Sequence, residues 1–137
     1  MIEFEDLRLR LLESEKPIAN LKEALAIDHV EKEIAELDEQ AAAPGFWDDT
    51  ENSQKVLKKA GALKAKLESY NSLKNDYDDA LMMIELADEE NDESMLEDCT
   101  KSVDSIESKI ETLTLSTLLS GVTLPLLVAA MNMVGLG

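Results

Sequence analysis

One cysteine and one histidine in 137 residues leave little material for covalent or metal chemistry. A lone Cys99 excludes an intramolecular disulfide and a thiolate-built zinc site, and it suits a reducing, cytoplasmic compartment. A lone His29 excludes a His-rich metal centre and a two-histidine zinc helix. Five Gly, three Pro and 4% aromatic residues are too few for a sandwich of short strands and turns. Positive charge is scarce as well: 13 Lys and Arg stand against 30 Asp and Glu, a net charge of −17. That balance argues against a protein that tracks a nucleic-acid backbone, which needs a basic stripe. The start, Met1 to Asp6, has neither a cationic region nor an early apolar run, so no secretory signal peptide is predicted. What is abundant is Leu, Ala, Glu and Lys, the composition of one all-α domain.

The charges stop abruptly. All of them lie between Glu3 and Glu111, and none occurs from Thr112 to Gly137. Asp76 to Glu111 alone carries 14 acidic residues against Lys101 and Lys109. This pattern predicts a helical body over 1–120 and an apolar, divergent tail over 121–137. Val122 to Gly137 is 16 residues, shorter than the roughly 20 a spanning helix needs. Gly121, Pro125 and Gly135 weaken it further as a helix, and no Lys or Arg flanks its far end, so a membrane anchor is disfavoured.

Within the body, Phe4, Leu7, Leu11, Leu12, Ile18, Leu21 and Leu25 have helical spacing, with Pro17 either breaking the run or opening a new helix. Val30, Ile34 and Leu37 predict a second helix ending near Gln40, and Ala43-Pro44-Gly45 a turn. Asp48 and Glu51 have the spacing of a capping box. The long run Val56, Ala60, Leu63, Leu67, Tyr70, Tyr77, Leu81, Ile84 follows the period of a coiled-coil seam, with one seat lost at Lys74. After the acidic break at Asp88 to Glu93, Leu96, Cys99, Val103, Ile106, Ile110 and Leu113 resume it. Two narrow apolar stripes of this kind bury each other, which predicts an antiparallel αα-hairpin inside an elongated helical bundle. Self-association through the seam is a related expectation.

The chemical motifs read blandly. Asp88 to Glu93 fails as a calcium loop, because Glu93 stands where glycine is required and Cys99 where a bidentate Glu is required; a solvated interhelical turn with capping carboxylates fits better. Paired carboxylates are numerous, but a thin bundle offers no cleft in which one would be held protonated. Cys99 sits on the apolar seam as a small hydrophobe, while His29 falls beside Val30 at the surface, so no nucleophile–base couple is predicted. Phe46 and Trp47, two of the five aromatic residues, read as an anchor for the start of the long helix or as an exposed partner-binding knob. No catalytic, cofactor or metal residues are assigned, and the chain is not expected to be an enzyme.

A helix, then Pro44-Gly45-Phe46-Trp47-Asp48-Asp49, then Ser53-Gln54 opening a long helix resembles the N-terminal domain of bacterial peptide chain release factors. Leu81 to Asp98 and Thr117-Leu118-Leu119-Ser120-Gly121 extend the likeness to about residue 121. The Trp47-Asp48 pair and the acidic turn are nearest the branch that reads UGA and UAA. The resemblance implies translation termination, with the ribosome near the base of its stalk as partner and no direct nucleic-acid site in this domain. It also implies that stop-codon reading and Gly-Gly-Gln-dependent hydrolysis belong to other domains; neither Gly-Gly-Gln nor Ser-Pro-Phe occurs here. The family continues past Gly121 with an acidic, aromatic-bearing strand. Val122 to Gly137 departs from that, as a truncated or frame-shifted gene would. A generic helical adaptor or scaffold is the competing reading, and a tail-anchored membrane protein a more distant one.

Overall fold

The computed structural model describes residues 3–120, so the predicted tail 121–137 lies outside the described residues. Those residues form five α-helices: α1 (Phe4–Glu13), α2 (Glu15–Ala24), α3 (Ile27–Ala41), α4 (Thr50–Glu89) and α5 (Leu96–Ser120). Short 3₁₀ turns at Phe46–Asp48 and Glu93–Met95 precede α4 and α5. No strand occurs among the described residues, and none of their helices is long and apolar enough to cross a membrane.

The first apolar run is broken ahead of the proline. The Ser14 N–H turns back to the Leu11 carbonyl (2.9 Å), and Ile18 restarts the ladder on the Ser14 carbonyl (3.0 Å). Pro17 is the third residue of α2, where its missing N–H has no intrahelical partner to lose. Leu12, expected in the core, is 41% exposed; the buried stripe of α1 is Phe4, Leu7 and Leu11. Ala26, at φ 51°, turns α2 into α3 in the left-handed region, with its N–H on the Glu23 carbonyl (3.0 Å).

With 40 residues, α4 extends for about 60 Å and serves two cores. The larger joins Leu7, Leu11, Ile18 and Leu21 to Tyr70, Leu73, Tyr77, Ala80 and Ile84 of α4 and to Cys99, Val103 and Ile106 of α5. The smaller holds Leu37 of α3, Phe46, and Val56 and Ala60 of α4. The hairpin of α4 and α5 is as expected, but its register on α4 is not. The seats are Tyr70, Leu73, Tyr77, Ala80, Ile84 and Ala87; Lys74 is exposed and Leu81 only half-buried. Two steps of three in a row, Leu67 to Tyr70 to Leu73, shift the phase of the stripe. The shift lies where α4 passes from the small core to the large one, so the single seam is two seams on different faces.

The break after α4 is a solvated turn. Asn91 adopts φ 52°, Asn91 N–H bonds the Asp88 carbonyl (3.1 Å) and Asp92 N–H the Ala87 carbonyl (2.9 Å), the bond pair of a Schellman ending. Asp92 then accepts from the Ser94 N–H (3.2 Å), as a capping carboxylate should. Arg8 bonds Asp88 (2.9 Å), and Arg10 spans Asp104 (2.7 Å) and Glu107, tying α1 to both arms of the hairpin.

Candidate functional site

The turn between α3 and α4 is the most specific local structure in the molecule. Gly45 takes φ 80°, a conformation that strains any residue with a Cβ, and so lets the chain reverse after Pro44. The reversal buries Phe46 in the small core. Ser53, itself buried, places its Oγ 2.6 Å from the Phe46 carbonyl and 2.8 Å from the Asp49 carbonyl, pinning the turn to the first turn of α4. The cap lies one residue later than expected: Asp49, not Asp48, accepts the Asn52 N–H (3.1 Å), because Asp48 is taken into the 3₁₀ turn.

The aromatic pair divides its roles. Phe46 is the anchor, whereas Trp47 is 66% exposed, set edge-on to Phe46 with ring centroids 5.1 Å apart and an interplanar angle of 88°. The anchor expectation holds for Phe46, and Trp47 is the exposed ring of the pair. A rigid, uncovered indole on a capped turn is suited to contact with another molecule.

Beyond the turn, α4 carries a local charge opposite to that of the chain. Between Lys55 and Lys74 there are six lysines and one acidic residue, Glu68. Lys59 pairs with Glu33 (2.7 Å) and Lys64 with Asp38 (3.0 Å), both carboxylates from α3. Lys59, first by its hydrogen bond, holds the Glu33 carboxyl below its usual range, the opposite of what an acid catalyst requires. Lys55, Lys58 and Lys66 are exposed and make no ion pair among the described residues, although Lys66 also acts electrostatically on Glu33. Whole-chain charge hid this cluster; a count over a 20-residue window reveals it.

The remaining candidates are not brought together as sites. Cys99 is fully buried in the large core, where burial first and Asp98 second push its thiol up. The His29 side chain is 74% exposed on α3, with Nε2 3.7 Å from Glu33. No group of three or more metal-ligating side chains forms among the described residues. An open groove of about 490 Å³ runs between α4 and α5, where Ala65, Ser69, Ser72 and Ser108 are too small to fill the space.

Residues 30–123 match the PCRF domain. The chain is similar to proteins named peptide chain release factor 2. One from an Exiguobacterium species is 32% identical over 120 residues, which is 88% of this chain and 33% of that protein. Those from Acidothermus cellulolyticus and Clostridium perfringens are 34% and 36% identical, over 76% and 74% of this chain and 28% and 29% of theirs. The chain thus spans about a third of the length of the curated relatives it matches. No solved structure matches.

Proposed function

The chain belongs to the PCRF-domain family, and from that premise we propose that it serves translation termination as the helical N-terminal domain of a release factor for UGA and UAA. The observation that carries the reading is the match over 30–123, which coincides with α3, the Phe46–Trp47 turn and the α4–α5 hairpin. A generic scaffold has the hairpin but no need of that turn. In this reading the helical body is the region up to about residue 120. It acts in the cytoplasm, docks on the ribosome near the base of the stalk, and performs no hydrolysis itself, for the 137 residues contain no Gly-Gly-Gln.

The test is peptide release from ribosomes stalled at UGA. The chain alone should release nothing at any concentration, and in excess it should inhibit an intact release factor by occupying part of its site. Release by the chain alone would overturn the assignment of hydrolysis to other domains. Absence of inhibition, with no binding to ribosomes in sedimentation, would favour the scaffold.

A further inference from the structure

The far end of α5 presents an apolar face to water. Ser108, Thr112, Leu115 and Leu119 follow one another in steps of four, three and four, so they form one stripe along the helix. All four are exposed, and Leu115, Leu119 and the neighbouring Leu118 each keep more than half of their surface in water. Three such leucines within five residues make a patch, unlike the single exposed apolar residues of an ordinary surface. The first half of the stripe, Ser108 and Thr112, is also a wall of the α4–α5 groove. That groove shares Ala65, Ser69 and Leu113 with a second opening of about 390 Å³, which reaches Ser116 on α5 and Leu25 ahead of α3. The two are one channel, open to solvent, and from Ser108 to Ser116 it runs about 12 Å along α5.

Charge and reach select the occupant. A second copy brings its own net charge of −17, and Glu68 in the groove and Glu111 one turn before Leu115 would face their like. Residues 121–137 carry no charge and include nine Leu, Val and Met. They follow directly on Ser120, one helical turn beyond Ser116, so the segment starts at the mouth of the groove. Gly121 and Pro125, both turn formers, stand where the chain has to double back. After them, residues 126–131 are an unbroken apolar run that covers about 20 Å when extended, more than the groove requires. Covalent attachment holds the run near the groove at an effective concentration on the order of millimolar. We propose that residues 122–137 fold back on the α4–α5 hairpin and seat the run 126–131 in this groove, covering Leu115 and Leu119. Small walls at Ala65, Ser69, Ser72 and Ser108 leave the room that leucine and methionine side chains take up. The inference stands apart from the ribosome reading, since it follows from the groove, the leucines and the uncharged segment alone.

The experiment uses the full chain carrying Ala130→Cys with a nitroxide on the new thiol; the native Cys99 is fully buried and escapes the label. Paramagnetic broadening should fall on the amide signals of Ser69, Ser72, Ser108 and Thr112, and it should not change on dilution. The chain should sediment as a monomer. Adding Ser69→Glu and Thr112→Glu places two charges in the groove, which an apolar segment cannot cover without desolvating them, and should restore those signals in full. Circular dichroism should show this variant folded, since both side chains are exposed. Broadening that passes from a nitroxide-bearing chain to a separate isotope-labelled chain would overturn the proposal in favour of a second copy. Sharp groove signals in the labelled monomer would overturn it outright. Broadening unchanged by the two glutamates would show a tethered segment with no seat in the groove, and would overturn it as well.

Discussion

The two halves of α4 are packed in different ways. The distal half is enclosed: Leu73 and Ile84 are fully buried, and α1, α2 and α5 all pack on it. The proximal half has one principal neighbour, α3, and a core of four buried side chains, Leu37, Phe46, Val56 and Ala60. Charge divides at the same place, with lysines on the open half and carboxylates on the closed one. The difference teaches that folding free energy is concentrated in the closed half, while the open half keeps more of its surface in water. Packing by a single neighbour suffices there because the turn is held by a glycine conformation, a buried serine and a cap.

Truncating each core should separate the halves. Leu73→Ala should cost about 3 kcal/mol and lower the denaturation midpoint of the whole domain, since the fully buried side chain leaves a cavity its neighbours fill only in part. Phe46→Ala should cost no more, about 3 kcal/mol at the low end for a phenylalanine because its core is small, and act locally. Hydrogen exchange should then show lost protection over residues 50–60 with little change over 73–87. Equal loss along all of α4 would mean that the rod melts as one unit.

Alkali tests one bond of the closed half, and comparison with Tyr77→Phe isolates it. Tyr77 is buried and donates to Glu15 Oε1 at 2.6 Å; burial first, then that bond, raises its pKa well above the usual 10.0. A proton held more tightly in the folded state favours folding below the unfolded pKa. As pH rises past about 10 the unfolded phenol ionises while the folded one does not, so stability falls by at most about 1.4 kcal/mol per pH unit. Denaturation at pH 9 and pH 11 should show this fall, and Tyr77→Phe should make it shallower.

The smallest effects sharpen the open half. Asp49→Ala removes the cap and should cost about 1 kcal/mol by chemical denaturation. Gly61→Ala should stabilise by up to about 1 kcal/mol, because a Cβ there meets nothing within 4 Å and the helix gains rigidity.

Much of this was legible in the sequence. The α5 stripe of Cys99, Val103 and Ile106 is the predicted one, since a helix with one partner surface keeps one period. On α4 the same rule left a lost seat at Lys74 and put Leu81 in the core, where the molecule uses Leu73 and Ala80. A pattern read along one helix assumes one partner, and only tertiary structure shows that α4 changes partners at Tyr70. The cap moved from Asp48 to Asp49 because two adjacent aspartates are equivalent until the 3₁₀ turn selects one. The candidate site was half legible: Trp47 stood out as a rare residue, but the lysines vanished into an average over 30 acids.

The uninterrupted hydrogen-bond ladder of α4 has a mechanical corollary. A rod of about 60 Å, gripped at one end by three helices and packed at the other mainly by α3, is a lever. Tilting it by about 5° about its gripped end sweeps the Trp47 end through about 5 Å, nearly the width of one helical turn. Rearranging the ties that Arg8 and Arg10 make with the hairpin would therefore be felt at the indole as translation, and a tug on the indole would return to the grip as torque.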